Sequence, residues 1–316
     1  MKTSSLLRLS AIFSLVVMFT ACSKEKGADS TETDYSTETT VHTDDQSRFS
    51  GEIDAVANDA DLALEVTTGF AGRPGDAATN GLNIICDATI EIDTIASPRT
   101  IIITYNGNNC LGTRTRTGVV IISMAPSTRW KNAGAVLNVT FQNLKITRLV
   151  DNKSITINGT QSYTNVNGGL LVNLPTLGSI THTITSDNMS VTFDDNSQRT
   201  WKVARKRIFT YDNGVVIKTT GTHTEGNVST ITEWGTDRFG NAFTTAILEP
   251  LTIRQSCNLR LTSGKVEHKT LLYAADVTFG LDASGNATSC PGTGNYYFKL
   301  VWTGPLGNSH TSIHPY

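Results

Sequence analysis

The chain has 316 residues, of which 38% are hydrophobic and 17% charged, and its formal net charge is −2 at pH 7. Residues 51–316 carry equal numbers of basic and acidic side chains. This balance argues against a general nucleic-acid-binding protein, because such proteins need a basic face. The length after residue 50 is enough for one large β domain or two small ones.

Residues 1–21 have the pattern of a signal peptide. Lys2 and Arg8 supply positive charge, and residues 9–20 are mostly apolar. The apolar run is too short to cross a bilayer as a stable helix. A signal peptidase would therefore cut after Ala21.

The end of this segment, Phe19-Thr20-Ala21-Cys22, resembles the lipobox of bacterial lipoproteins, with Phe19 where Leu is more usual. The resemblance implies that Cys22 carries lipid and becomes the mature N-terminus. Several acyl chains anchor a protein stably, since each buried methylene contributes about 0.8 kcal/mol. Ser23 after the cysteine resembles lipoproteins sorted to the outer membrane, so we expect a cell-envelope protein that faces either the periplasm or the surface.

Two segments of different character follow Cys22. Residues 23–50 contain few large apolar side chains and predict a disordered spacer. Residues 50–66 predict one short helix, since Ile53, Val56, Ala60 and Leu64 recur at helical spacing. The all-β domain is expected to occupy residues 51–316.

From residue 83 onward the hydrophobic pattern changes to a period of two. Leu137, Val139 and Phe141 alternate with polar residues, and the same pattern recurs up to Trp302. Short turns such as 212–214 separate these runs. The pattern predicts an all-β antiparallel meander that forms an open curved sheet, a sandwich or a barrel.

If Cys22 carries lipid, four cysteines remain: Cys86, Cys110, Cys257 and Cys290. In an exported chain, an even set predicts disulfides rather than a metal site. A loose internal repeat over residues 83–125 and 254–303 has the order cysteine, strand, turn, cysteine, strand, and favours pairing within each copy among three connectivities. The layout is similar to all-β exported lipoproteins of the Bacteroidota, a resemblance that implies no activity.

One basic cluster is a candidate ligand site. On a strand, Arg205 and Arg207 share a face with Trp201, while Lys202 and Lys206 point the other way. Arginines beside aromatic rings can bind anionic glycans or lipid head groups. The alternative is a solvated strand whose arginines cover aromatic rings or pair with nearby acids such as Asp194 and Asp195.

Two further groups of residues are candidates for a catalytic or a metal site. The acids Glu225, Glu233, Asp237 and Glu249 fall close together in sequence, and two carboxylates across a cleft can hydrolyse a glycoside. The pair His310 and His314 has helical metal-ligand spacing, but a helix is not expected beside Pro315. We expect surface and core roles for both groups, and no metal or other cofactor.

The sequence predicts a membrane-anchored lipoprotein that acts as a non-catalytic binding or scaffolding module at the cell envelope. Its expected partners are the membrane and glycans or envelope proteins. One alternative is a carrier that holds lipid in the apolar hollow of a curved sheet. The other is a glycan hydrolase that uses the acids between residues 225 and 249.

Overall fold

A computed structural model describes residues 36–72, 85–290, 294–304, 307 and 309–316. The chain forms a long N-terminal helix, α1 (Ser36–Val66), a short helix α2 (Thr68–Ala71), and a 15-stranded antiparallel sheet. The predicted all-β meander is therefore confirmed, and it is one continuous sheet rather than a sandwich of two. The signal peptide, Cys22 and spacer residues 23–35 lie outside the described residues.

The strands follow one another along the chain. The first seven are β1 (Ala88–Asp93), β2 (Arg99–Asn108), β3 (Arg114–Met124), β4 (Ala135–Arg148), β5 (Ser154–Asn165), β6 (Ser179–Phe193) and β7 (Gln198–Tyr211), with a short helix α3 (Leu174–Leu177) before β6. The others are β8 (Val215–Gly221), β9 (His223–Glu225), β10 (Val228–Thr236), β11 (Ala242–Arg254), β12 (Arg260–Thr270), β13 (Ala274–Leu281), β14 (Tyr297–Thr303) and β15 (Ser309–Pro315).

The meander departs from simple neighbour pairing in one place. The first half of β7 pairs with β10 and its second half with β8, and β11 pairs with the same two strands. These pairings close a small ring in which β8 and β10 lie end to end between β7 and β11. At the junction, a Cβ on Gly221 would lie 2.0 Å from the carbonyl oxygen of Thr230, so only glycine fits.

Helix α1 is longer than the sequence predicts. It begins at Ser36, so residues 36–50 of the expected spacer are helical. Those residues are rich in Ser, Thr and Asp and show no apolar stripe, which is why composition indicated disorder. Tertiary contacts account for the difference, because nearly all of α1 is buried or half-buried against the sheet.

The sheet curves around α1. Side chains from β2, β3, β4, β7 and β10 contact it directly. The largest apolar cluster packs the C-terminal half of the helix against the first seven strands, and includes Ile53, Val56, Ala60 and Leu64. A second cluster lies under β11 to β14. The concave side of the sheet is thus filled by the chain's own helix. Among the described residues, no helix is long and apolar enough to cross a membrane.

The four cysteines pair within the two predicted segments. Cys86 bonds to Cys110 and Cys257 bonds to Cys290, each with Cα atoms 5.2 Å apart. The first disulfide encloses the β1–β2 hairpin and the second encloses the β12–β13 hairpin. The first bond therefore holds the hairpin at one end of the strand order, and the second holds a hairpin near the other end.

Candidate functional site

Six arginines on the concave face of the sheet and one in the β10–β11 loop meet acidic or polar side chains of α1 or of neighbouring strands. We call this set the arginine face: Arg114, Arg116, Arg148, Arg199, Arg205, Arg207 and Arg238. Helix α1 contributes the complementary charge, because residues 36–66 contain eight acidic side chains and a single basic one, Arg48. The helix and the sheet are thus joined by charge as well as by apolar packing.

Strand β7 supplies the centre of the arginine face. Its odd-numbered residues from Arg199 to Phe209 are buried, whereas Lys202 is exposed. The predicted alternation of Trp201, Arg205 and Arg207 against Lys202 is confirmed. The face that they share is the interior of the molecule, where each is at most 2% exposed.

This burial corrects the expectation that Trp201, Arg205 and Arg207 form an accessible site for anionic glycans or lipid head groups. Alternation shows which residues share a face of a strand, but not which face lies inside. The arginines also do not pair with Asp194 or Asp195. Their acidic partners are Asp54 and Asp61 of α1, more than 140 residues away in sequence, and Glu233 of β10.

Arg205 is held by a helix residue and a strand residue together. Its Nη1 lies 3.1 Å from Asp54 Oδ1, and its Nη2 donates to Ser50 Oγ at 3.1 Å and to Glu233 Oε1. Glu233 also accepts a hydrogen bond from Gln46 and lies 3.6 Å from Arg199. All the charge in this cluster is internally compensated, which is what a buried ion pair requires.

Arg199 is placed among aromatic rings. Its guanidinium carbon lies 4.1 Å from the centroid of the Phe243 ring and 5.5 Å from the rings of Phe49 and Trp201. Burial lowers the pKa of Arg199 to about 10, while Glu233 opposes that shift. The side chain therefore remains a cation at neutral pH, stabilised by the ring faces.

A second cluster ties α1 to the segment that contains the first disulfide. Asp87 accepts two hydrogen bonds from Arg116, at 2.7 and 2.6 Å. Arg116 also reaches Asp59 of α1 at 2.8 Å, and the Tyr105 hydroxyl donates to the same Asp59 oxygen at 2.8 Å. Burial raises the pKa of Asp59, against the effect of Arg116. Arg116 and Asp87 thus form a bidentate ion pair with a structural role.

The N-terminal half of α1 is held by turns and strand ends. Asp44 lies 2.9 Å from Arg148, at the end of β4. Asp45 accepts two 2.6 Å hydrogen bonds from Arg238, in the β10–β11 loop. Burial raises the pKa of Asp45 to about 6 even though Arg238 opposes the shift.

The C-terminal half of α1 contacts β6 and β7. Arg207 donates to Asn58 Oδ1 at 2.6 Å and lies 3.5 Å from Asp61. His182 Nδ1 lies 3.6 Å from Asp61, but burial and Arg207 lower the His182 pKa to about 3. The imidazole is therefore neutral, and this contact is not an ion pair at neutral pH. Burial raises the pKa of Asp61 to about 7.

The four candidate hydrolase acids do not share one accessible cleft. Glu225 and Glu249 are exposed, whereas Glu233 and Asp237 are buried. Asp237 Oδ1 accepts hydrogen bonds from the backbone N–H groups of Phe239 and Asn241, at 2.9 and 2.8 Å, and so shapes the β10–β11 loop. In the described part of the chain, these acids are structural or solvent-facing.

The paired histidines lie on a strand. His310 and His314 belong to β15, where four residues span roughly 13 Å. The His314 ring lies 5.3 Å from the Phe298 ring, and its Nε2 is 2.9 Å from Ser312 Oγ. Within the described ranges, no group of three or more His, Cys, Asp or Glu side chains is arranged to hold a metal ion.

A small cavity lies between α1 and the sheet. Its volume is about 110 Å³, and Gly51, Arg114, Ile146, Phe298 and Tyr316 are among its lining residues. Sites for drug-sized ligands typically measure about 300–1,000 Å³. This cavity is too small for an acyl chain. Helix α1 occupies the hollow in which a lipid carrier would hold its ligand.

The sequence predicts which residues of β7 share a face, but it does not predict that α1 packs against that face. The available signal was charge asymmetry: an excess of acids within residues 36–66, opposite arginines at alternate strand positions. Polar composition at the N-terminus concealed it, since the same composition is typical of a disordered spacer. Comparison with protein-family models, with curated proteins and with solved structures finds no match to this chain.

Proposed function

We propose that this chain is a membrane-anchored lipoprotein, attached through Cys22, that acts as a non-catalytic binding or scaffolding module at the cell envelope. One observation carries the proposal: α1 fills the concave face, and its charges are compensated internally. A carrier or a glycan hydrolase would need that face for its ligand. The outer face of the sheet therefore remains available to partners such as glycans or envelope proteins.

The outer face has the chemistry of a polar contact surface. On β4, Asn138, Gln142 and Lys145 are exposed, and Val136 lies beside them. The outward residues of β7 include Lys202, whose side chain is half exposed. Such a surface offers amide and ammonium groups to a partner.

Site-specific photo-crosslinking in cells tests this proposal. A benzophenone amino acid replaces Val136, Lys145 or Lys202, and adducts are captured from solubilised membranes. We expect adducts of defined mass from at least one outward position. The matched control carries the same amino acid at Ile95, which is exposed in the β1–β2 turn rather than on a strand of the outer face.

Two outcomes would contradict the proposal. The first is the absence of adducts from all three outward positions in a chain that is correctly folded and located. The second is purification of the native protein with a bound acyl lipid other than the one on Cys22, which would favour the carrier.

A further inference from the structure

Strand β15 is the last strand in the order of the sheet, and β14 is the one described strand with which it pairs. Its other edge therefore presents a row of unpaired backbone N–H and C=O groups. A free edge of this kind can accept a strand from another chain. The exposed residues of the strand are Ser309, His310, Thr311, Ile313 and Pro315.

Alternate residues of β15 direct their backbone groups away from β14. The N–H of Tyr316 donates to the carbonyl oxygen of Tyr296 at 2.9 Å, which continues the antiparallel ladder between the two strands. Residues 310, 312 and 314 therefore also face β14, because backbone groups alternate in direction along a strand. The residues that direct their backbone groups to the free edge are Ser309, Thr311, Ile313 and Pro315.

A second copy of β15 can continue this ladder about a two-fold axis at Ser312. Thr311 then lies opposite the partner's Ile313, and the two residues exchange both backbone hydrogen bonds. The N–H of Ser309 reaches the carbonyl oxygen of the partner's Pro315. Proline has no N–H, so this end pair lacks one bond, and His310 lies opposite the partner's His314 in a pair that exchanges none. The strand is thus complementary to itself in this register.

Charge distinguishes β15 from the opposite edge of the sheet, β1. Natural sheets often protect their edges with charged residues, yet β15 contains no Asp, Glu, Lys or Arg, whereas β1 carries Glu91 and Asp93. A two-fold axis at Glu91 would oppose two copies of that carboxylate, and one at Ile92 would oppose it to Asp93. An axis at Ile90 would oppose Asp93 to Asp87. Like charges directly opposite each other destabilise strand pairing, so β1 does not favour its own copy.

We infer that β15 is a self-association surface, through which two copies of this chain pair edge to edge about Ser312. The two sheets then form one continuous antiparallel sheet. The contact uses the same strand in both copies, so it closes after two copies and does not propagate into a fibre. The inference goes beyond the proposed binding role and does not depend on attachment through Cys22.

Disulfide trapping of the purified full chain tests the register. In the proposed pair, the two copies of residue 312 have Cα atoms about 4.5 Å apart, which a disulfide can bridge. The two copies of residue 309 lie about 20 Å apart, because each is opposite residue 315 of the other strand. Oxidation with diamide should therefore give at least about fivefold more covalent dimer from Ser312→Cys than from Ser309→Cys, measured on non-reducing gels.

A second substitution separates pairing from chance collision. Thr311→Pro, added to Ser312→Cys, removes an N–H that faces the free edge and leaves the backbone bonds to β14 in place. It should reduce the dimer to the level of Ser309→Cys, whereas Thr311→Ala in the same background should not. Circular dichroism checks that each variant is folded.

Three results would overturn the inference. They are no dimer from folded Ser312→Cys, a yield from Ser309→Cys that equals or exceeds that from Ser312→Cys, and a dimer that persists unchanged with Thr311→Pro. None of them bears on the outer face of the sheet, so the proposed binding role would stand or fall by its own crosslinking experiment.

Discussion

The buried arginines show how single residues set the stability of this fold. Arg205 and Glu233 are both at most 1% exposed, and each has its charge compensated by the other. Removing one member of a buried pair leaves the other as an uncompensated charge in a poorly hydrated interior. The cost of that loss exceeds the net gain from forming the pair.

Arg205→Met should lower the free energy of unfolding by about 3–5 kcal/mol, because it leaves Asp54 without its cation and Glu233 with only Arg199, 3.6 Å away. The matched control is Lys202→Met, on the same strand but on the outward face, where the change should be within about 0.5 kcal/mol. Urea unfolding followed by tryptophan fluorescence measures both. Equal stability of the two variants would show that the arginine face contributes little.

A buried histidine gives the fold a predictable acid sensitivity. Burial, with help from Arg199, lowers the pKa of His268 from 6.5 to about 3, and its Nδ1 lies 3.0 Å from Thr245 Oγ1. Between these two pH values the unfolded state binds a proton that the folded state does not. The stability linked to His268 is therefore fully present above pH 6.5 and is lost as the pH falls toward 3.

His268→Gln should therefore reduce the pH dependence of stability. Between pH 7 and pH 5, the variant should lose about 2 kcal/mol less unfolding free energy than the parent chain. The raised pKa values of Asp45 and Asp61 act with the opposite sign, but they are common to both proteins. His310→Gln, in which the replaced residue is exposed on β15, should follow the parent curve. Parallel curves for the parent chain and His268→Gln would refute the assignment.

At the scale of single elements, α1 is a helix that its own sequence supports poorly. Its 31 residues include Gly51 and many Ser, Thr and Asp residues, all weak helix formers. What stabilises it is the sheet, through Ile53 and Val56 in the core and through the arginine face. A helix of this kind should exist only in the folded molecule.

A synthetic peptide of residues 36–66 should accordingly be largely unfolded in water. Its ellipticity at 222 nm should resemble that of a disordered peptide, and trifluoroethanol should induce helix. The matched control is the same peptide with its Ser, Thr and Gly residues replaced by Ala, which should be helical without alcohol. Strong helicity of the native peptide in water would show that local propensity, rather than the sheet, forms α1.

The strands were easier to predict than the helix, for a physical reason. In a half-buried strand, every second residue is apolar and faces the core, as Leu137, Val139 and Phe141 do on β4. Helix α1 is buried around most of its circumference, and its narrow half-exposed stripe includes Ala55 and Leu62, so side-chain polarity does not mark which side faces the core. Its buried Asp54 and Asp61 look like solvated residues until their partners on β7 are known.

At the scale of the whole molecule, the sequence predicts one β domain but does not determine whether its sheet stays open, folds into a sandwich or closes into a barrel. That choice depends on pairings between distant segments, such as β7 with β10 and β8 with β11, which alternation within a strand does not encode. The disulfides were predictable because the two cysteine segments share an order. The arginine face was not, because it depends on contacts such as that of Asp45 with Arg238, 193 positions apart.

The proposed attachment of the protein to a membrane is tested at Cys22. Cys22→Ala should reduce the fraction of protein that sediments with membranes by about tenfold or more, because lipid anchoring requires that thiol. Immunoblotting of fractions after an alkaline carbonate wash measures the change. The control is Ser23→Ala, which leaves the thiol in place and should stay in the membrane fraction. Persistent sedimentation of Cys22→Ala would contradict the lipid anchor.

The position of α1 also has a kinetic consequence. It is the first described element to be synthesised, yet Asp45 and Gln46 bind partners 193 and 187 positions later. Forming contacts of such high sequence separation costs loop-closure entropy, and this slows folding to the native state. The C-terminal half of α1 can pack against the first seven strands as soon as these exist. The N-terminal half lacks Glu233 and Arg238 until β10 and the loop after it are made. We therefore expect the N-terminal half of α1 to dock late, after most of the sheet has been synthesised.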